Sequence, residues 1–415
     1  MQRRHFLKSA ALGAGAAIVG KQAQGDMDDF GSGSDVKITK VSYYQPPKYT
    51  KPLMAQSQGV VIVECDNGMV GVGEGGSPDT VSNLAPWVIG QDPMKTEHLW
   101  QLMLRGYFYP GGRELQHALG AIDMALWDIK GKLFNTPVFN LLGGQLRNYI
   151  YCYSTGFPSN GRSVKETARA CVEFGYKAFR SGGASNQKGT WDIRKQLRAM
   201  LEHCTQIREG VDGIGDWAVD FHTRHDPPHA VRLANTIEDL EPFFVEDLIR
   251  SENQDRYRLL RQQVNVPMAV GEHFGIRWDW FKMVEEDLFD YARVTLPNGG
   301  GITEFKKIMA MCETHYIGMT PHFTGPIATV ALTQCLAAFS GFAMMEMLGD
   351  GPKKLDYLND DYLDFRAGKL YPRNVPGLGV EVNIAKLDKK AEVTDSTPAY
   401  TFPTFRRPDG SYTNW

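Results

Sequence analysis

After Tyr149 the chain carries eight short apolar runs, each separated from the next by a stretch long enough for a helix. They are Tyr149–Ser154, Ala178–Ser181, Trp217–Phe221, Phe243–Glu246, Met268–Gly271, Tyr291–Leu296, Ile317–Thr320 and Phe342–Met347. Runs this short, bounded by polar or helix-forming segments, read as buried strands. Eight strand-then-helix units are what a closed (β/α)8 TIM-like barrel requires, so an α/β fold is expected. The alternative is an open doubly wound sheet. That fold wants a Gly-rich phosphate turn after its first strand, and Tyr153-Ser154-Thr155-Gly156-Phe157 offers none.

Three of the runs lead to a carboxylate. Asp220 ends Trp217-Ala218-Val219-Asp220, Glu246 ends Phe243-Phe244-Val245-Glu246, and Glu272 ends Met268-Ala269-Val270-Gly271-Glu272. Both intervals are 26 residues, one strand-helix unit with its loops. Each acid is therefore expected at the C-terminal end of a successive strand, at the mouth where barrel active sites lie. One acid after a strand is commonly a helix cap or surface charge. Three at equal spacing repel one another unless a cation sits among them. Oxygen-only ligands favour a hard ion, so one Mg2+ per subunit is expected on Asp220, Glu246 and Glu272.

Proton chemistry points to two histidines. His222 lies two residues after Asp220, so strand alternation can point both side chains the same way. His322 ends Ile317-Gly318-Met319-Thr320-Pro321-His322 and is expected to face His222 across the mouth. His273 directly follows Glu272 and is ambiguous. Arg180, near the end of the second run, is either an anion binder, since a guanidinium is hard to deprotonate, or a rim salt bridge. His5, His98, His117, His203, His225, His229 and His315 have no such placement and read as structural or surface residues.

Before the barrel, alternating β pattern runs from Val36 to about Gly76. Asp66-Asn67-Gly68 separates two β-branched runs, a hairpin signal. Residues 81 to 147 then look helical, with Ala118, Ala121, Ile122, Ala125, Leu126 and Ile129 on one face. This predicts an α+β capping domain over residues 36–148, the barrel over 149–350, and a segment over 351–415 that packs back on the cap. Tyr43 to Gln58 and Tyr107-Phe108-Tyr109-Pro110-Gly111-Gly112 are candidate lids.

Residues 1–25 read as a twin-arginine signal: Arg3-Arg4, a mild apolar run from Ala10 to Val19, and small residues at Ala23-Gln24-Gly25. Residues 26–35 read as a linker. The expectation is export of a folded chain to the periplasm or another extracytoplasmic space. The six cysteines form no CxxC pair and read as buried small hydrophobes. A net charge of −3 gives no drive for nucleic-acid contact. No apolar stretch after residue 25 is long enough to span a membrane.

Taken in order, these residues resemble the enolase superfamily in its mandelate racemase/muconate lactonizing group. The resemblance spans nearly the whole mature chain. It is carried by Val72-Gly73-Glu74-Gly75, Ala125-Leu126-Trp127-Asp128-Ile129-Lys130-Gly131-Lys132, Leu141-Leu142-Gly143-Gly144, the three acids, Gly300-Gly301-Ile302-Thr303 and Thr320-Pro321-His322. Asp220-Phe221-His222 and Gly325-Pro326-Ile327-Ala328 are similar to galactonate and mannonate dehydratases. The resemblance implies a carboxylate substrate that loses its α-proton, with Mg2+ stabilising the resulting enediolate. It further implies His222 as the acid that protonates a departing β-hydroxyl, and His322 as the base or its partner. Glu346 matches the acid that hydrogen-bonds the substrate carboxylate.

Two positions depart from the family pattern. A second-strand Lys-x-Lys is replaced by Arg180 and Gly182, and a sixth-strand Asp that partners the histidine is replaced by Thr295, with Arg293 two residues earlier. The two arginines resemble mannonate dehydratase, so Arg180, Arg293 and His273 are expected around the substrate. That enzyme's tyrosine after the second strand has no match here, although Trp191 lies nearby. The expected activity is dehydration of an aldonate-type sugar acid by a homo-oligomer. An epimerase, racemase or cycloisomerase on the same scaffold, and a non-catalytic sugar-acid binding protein, are the alternatives.

Overall fold

A computed structural model describes residues 34–47, 59–109, 111–182, 191–398 and 406–413. The expected signal peptide and nearly all of the linker lie outside these residues, as does the second half of the Tyr43–Gln58 lid candidate. The cap begins with β1 (Ile38–Gln45), β2 (Val60–Cys65) and β3 (Val70–Glu74). Gly68, at φ +81°, makes the expected hairpin between β2 and β3. Four helices follow: α1 (Pro78–Leu84), α2 (Thr96–Arg105), α3 (Gly112–Leu133) and α4 (Val138–Leu141). The apolar face read from Ala118 to Ile129 is buried in the cap core. The Val-Gly-Val-Gly pattern of β3 has a steric cause. A Cβ at Gly71 or Gly73 would fall about 2 Å from the carbonyl oxygens of Ala125 or Ala121, so only glycine lets β3 lie directly on α3.

The barrel strands are β4 (Ile150–Thr155), β5 (Ala178–Ser181), β6 (Asp216–Asp220), β7 (Phe244–Glu246), β8 (Met268–Val270), β9 (Tyr291–Ala292), β10 (Gly318–Met319) and β11 (Met344–Leu348). Neighbours pair in parallel from β4 through β10. β11 pairs in parallel with β4, and a Met319–Ala343 bridge closes the ring between β10 and the start of β11. Between the strands lie α5 (Val164–Phe174), α6 (Ile193–Val211), α7 (Pro227–Thr236), α8 (Tyr257–Gln263), α9 (Arg277–Glu285), α10 (Ile302–Thr314) and α11 (Pro326–Ala337). The described residues thus give eight strands and seven intervening helices. After β11 the chain enters a hairpin, β12 (Asp364–Arg366) and β13 (Lys369–Tyr371), and β13 pairs with β4.

The tail then returns to the cap, where β14 (Asp388–Val393) pairs antiparallel with β1 to give the order β14-β1-β2-β3. On the way, Gly377 (φ +69°) lies against Asp128, whose Oδ1 accepts the Leu378 N–H at 2.8 Å. The cap grips the barrel through helix N-termini. Glu74 Oε2 accepts the Ala328 N–H at 2.8 Å, at the start of α11. Asp123 Oδ2 accepts the Thr303 N–H at 2.9 Å, at the start of α10. Trp127 Nε1 donates to Thr303 Oγ1 at 2.8 Å, and Trp100 Nε1 to the Gly300 carbonyl at 2.8 Å. A buried carboxylate is satisfied by the free N–H groups and dipole of a helix start.

The six cysteines are free and buried, as expected. No helix of the described residues is long and apolar enough to cross a membrane. One lid expectation changes. Tyr43 and Tyr44 are buried in strand β1, and Tyr43 donates to the Gly76 carbonyl, so this part of the segment is cap core. Tyr107 is likewise tied to the cap, through Asn83, whereas Phe108 and Tyr109 are exposed. Pro110 lies outside the described residues.

Candidate active site

The inner face of the barrel explains which side chains meet at the mouth. Tyr153, Ala178, Ala218, Phe244, Ala269 and Met344 pack together in its interior, with Tyr291 against them. Strand side chains alternate, so the residue two further on points inward one layer higher. From six of these seven strands that rule selects Thr155, Arg180, Asp220, Glu246, Arg293 and Glu346. Asp220 and Glu246 are register partners on β6 and β7. Glu272 is out of phase. The register partner of Glu246 on β8 is Ala269, and Gly271 (φ +125°), packed against Trp280, ends the strand before Glu272. Glu272 therefore sits above the rung and keeps 15% side-chain exposure, while Asp220 and Glu246 have none.

The two arginines are engaged by protein carboxylates. Arg180 ion-pairs with Asp220, and its Nε donates to Glu246 Oε2 at 2.9 Å. Arg293 Nε donates to Glu246 Oε1 at 2.5 Å and its Nη2 to Glu346 Oε2 at 2.6 Å, while its Nη1 bonds Tyr153 and the Thr320 carbonyl. Both guanidiniums are buried. Of the two readings of Arg180, anion binder or rim salt bridge, the structure shows an ion pair, buried rather than at the rim. Arg293, expected beside the substrate, is likewise ion-paired within the barrel. Glu346 is also committed, accepting from Thr155 Oγ1 at 2.6 Å and the Phe323 N–H at 2.9 Å.

The histidines flank the acids on opposite strands of the ring. His222 reaches Asp220, but by a turn rather than by strand alternation. β6 ends at Asp220, and His222 and Thr223 adopt left-handed φ of +49° and +55°. His222 Nε2 then lies 2.7 Å from Asp220 Oδ2, and its N–H donates to Asp220 Oδ1 at 2.6 Å. The Asp220 hydrogen bond raises the His222 pKa above 6.5, outweighing burial. His322 Nε2 lies 3.3 Å from Glu272 Oε2, and Nδ1 lies 3.2 Å from Thr295 Oγ1. Burial holds its pKa below 6.5 despite Glu272. His273 Nε2 lies 3.6 Å from Glu272 Oε1, and the His273 carbonyl accepts from Arg113 of the cap. A Cβ at Gly182 would stand 4.0 Å from His222 Cε1, so the position that lacks a lysine faces the same site.

Burial works to raise the Glu272 carboxyl, but the His273 hydrogen bond and the charges of His322 and Arg293 hold it down at about 2. Asp247, which sequence reasoning missed, is the reverse case. It is buried, its φ is +46°, and its Oδ2 has no hydrogen-bond partner among the described residues. Burial, with the charges of Glu272, Glu246 and Asp220, pushes its carboxyl well above the usual range. Its only sequence signal is a second acid directly after Glu246. Possible ligand atoms within 4.8 Å of one another form two groups among the described residues: Asp220, Glu246 and Asp247, and Asp247, Glu272 and His273. Neither holds Asp220, Glu246 and Glu272 together. The donors are mainly carboxylate oxygens and one is an orphan, which fits a hard divalent cation.

The remaining histidines have other partners. His117 accepts the Gly76 N–H at 2.7 Å, His203 lies 2.7 Å from Ser181, and His315 pairs with Asp287. His98 stacks on Tyr412, and His225 and His229 lie beside Trp191. His5 lies outside the described residues.

Comparison with known proteins places this geometry. Residues 35–143 match the mandelate racemase/muconate lactonizing enzyme N-terminal domain, and residues 163–386 the enolase C-terminal domain-like family. The chain is 32% identical over 397 residues to a D-galactonate dehydratase of Pectobacterium atrosepticum, covering 92% of this chain and all of that protein. A crystal structure of an enolase superfamily member from Salmonella Typhimurium superposes with a TM-score of 0.78 at 25% identity, covering 86% of this chain and 99% of the other. An enolase from Agrobacterium radiobacter, named as a candidate galactarate dehydratase and crystallised with sodium and L-malate, gives 0.74 at 26% identity over 91% and 99%. With both of its domains matched, and with a cap, barrel and acid-lined mouth in the same order, this chain belongs to the mandelate racemase/muconate lactonizing group of the enolase superfamily.

Proposed function

We propose that the protein is a Mg2+-dependent dehydratase of an aldonate-type sugar acid. The observation that carries this reading is the pairing of His222 with Asp220, opposite a buried His322 beside Glu272. A bound divalent cation supplies Lewis-acid stabilisation of the charge that grows on the substrate carboxylate as the α-proton leaves. His322, kept neutral by burial, accepts that proton at Nε2. His222, kept protonated by Asp220, gives a proton to the departing β-hydroxyl, so one water leaves and an enol of a 2-keto-3-deoxy acid remains. Glu246 and Glu346 hold the two arginines in place among the acids of the mouth.

Two-base epimerisation wants a second base on the other face of the α-carbon. Gly182 supplies none, which favours dehydration. The D-galactonate dehydratase relative supports the same substrate class. A panel of acid sugars incubated with the full chain and Mg2+, read by mass spectrometry, tests the proposal. Loss of one water is the expected outcome. Products of unchanged mass mean isomerisation, and absence of turnover with retained ligand binding means a binding protein.

Folded export by the twin-arginine route belongs to this reading and rests on Arg3-Arg4 and the apolar run after it. Self-association is also part of it, supported by the exposed Trp278 and Phe281 on α9. Cell fractionation and sedimentation test these two points.

A further inference from the structure

The cap meets the barrel at a further place, beside the mouth. Arg113 lies in the first turn of α3, and its side chain is 40% exposed. Its Nε donates to the His273 carbonyl at 2.7 Å, and its Nη2 lies 2.7 Å from Asp279 Oδ2 on α9. We infer that Arg113 is a positioning residue: from the cap it fixes the segment that carries His273, and so aims the His273 imidazole at the substrate. This rests on the proposed function for what His273 meets, and goes beyond it by making a cap side chain part of the geometry of the mouth.

The first ground is that the contacts close on themselves. Asp279 Oδ2 also accepts the Gly275 N–H at 2.7 Å. One guanidinium therefore reaches the segment twice, directly at His273 and through Asp279 at Gly275. Hydrogen bonds from a guanidinium are charge-assisted, and its planar fork fixes direction as well as distance. The second ground is fit. A Cβ at Gly275 would fall 2.1 Å from Gln116 Oε1 and 2.5 Å from Arg113 Nη1, so only glycine lets the segment pass against these two cap side chains. Gln116 Oε1 in turn accepts from Arg113 Nη1 at 3.3 Å.

The third ground is that the barrel holds the other side. The Glu272 carbonyl accepts Thr295 Oγ1 at 3.1 Å and Asn298 Nδ2 at 3.3 Å. Consecutive carbonyls are thus held by different domains, Glu272 by the barrel and His273 by the cap. The His273 side chain keeps 38% exposure at the mouth. Arg180 and Arg293 are engaged by barrel carboxylates, which leaves this half-exposed imidazole well placed to meet a substrate hydroxyl. The ties at Glu74, Asp123 and Trp127 meet the starts of α10 and α11, whereas Arg113 meets the segment that carries His273.

Hydrogen exchange of the full chain, read by mass spectrometry, tests this without substrate. In Arg113→Gln the peptide over residues 272–276 is expected to exchange at least about tenfold faster than in wild type. The melting temperature should change little, since a half-exposed ion pair adds little stability. Should that variant not fold, Arg113→Lys, which keeps the charge and loses the fork, carries the same measurement. On a sugar acid that the wild type dehydrates, Arg113→Gln is expected to raise KM about tenfold and to leave kcat within about twofold. In a His273→Ala background the same change is expected to alter KM by less than about twofold, because its effect runs through His273. Wild-type exchange or wild-type KM in the variant overturns the inference, as do KM effects that multiply in the double variant. Faster exchange in a chain that dehydrates no sugar acid sinks the proposed function and leaves the hold of Arg113 on the segment standing.

Discussion

His222 and His322 begin from the same ordinary pKa and are displaced in opposite directions, one by an acid at 2.7 Å and one by burial. The proposed base works only when neutral, so His322 loses activity as pH falls below 6.5, through its lowered pKa. The proposed acid works only when protonated, so His222 loses activity as pH rises above 6.5, through its raised pKa. The kcat/KM profile is therefore expected to be bell-shaped, with a plateau straddling 6.5. A profile with one limb removes this assignment. Thr295→Asp places a carboxylate where a hydroxyl now meets Nδ1, which stabilises the imidazolium and moves the acid limb to higher pH. His222→Asn is expected to lower kcat by about 10²–10⁴-fold, while calorimetry finds Mg2+ affinity little changed. Full turnover in that variant, on a verified substrate, removes His222 from the chemistry.

At the scale of elements, two helix starts in the barrel are held by carboxylates from the cap, and burial raises the pKa of both, Asp123 to about 7 and Glu74 further. Burial raises the Glu74 pKa from 4.5 to about 8, against the pull of the Ala328 and Ile327 N–H groups. The folded chain then binds this proton more tightly than the unfolded chain. Its contribution to stability is present at acid pH and is lost as pH rises from 4.5 through 8, by up to about 1.4 kcal/mol per pH unit. Glu74→Gln is expected to flatten that slope, read as the difference in denaturation midpoint between pH 5.5 and 8. Equal slopes in the two proteins contradict it.

Legibility followed the same physics. Ala178–Ser181 and Met268–Val270 were readable because a buried strand is a short apolar run between helices. Tyr291–Leu296 was read too long, because the chain after Ala292 stays buried although only two residues join the ladder. The hairpin β12/β13 was missed in a Gly- and Asp-rich stretch without periodicity. The acids at Asp220 and Glu246 were visible from their 26-residue spacing at the ends of successive strands. Asp247 was not, since a left-handed residue obeys no strand period, and the pairing of Arg180 with Asp220 joins residues that the parallel pairing of β5 with β6 brings together.

Across the whole molecule, the cap is tied to the barrel at Glu74, Asp123, Trp100 and Trp127, and its sheet is finished by β14. Many of the motifs that carry the family resemblance lie at these ties rather than around the reacting centre. A chain ending before Asp388 loses β14 and leaves β1 as an unpaired edge. Its melting temperature is expected to fall, and size-exclusion chromatography should show larger species. A truncated chain that melts and elutes like the full chain shows that the fourth strand is dispensable. β1 pairs early with β2, but the first strand of the described residues gains its second neighbour only when the last, β14, has emerged. The nascent chain must carry an open sheet edge through the synthesis of the entire barrel, so completion of the cap reports that the barrel has been made.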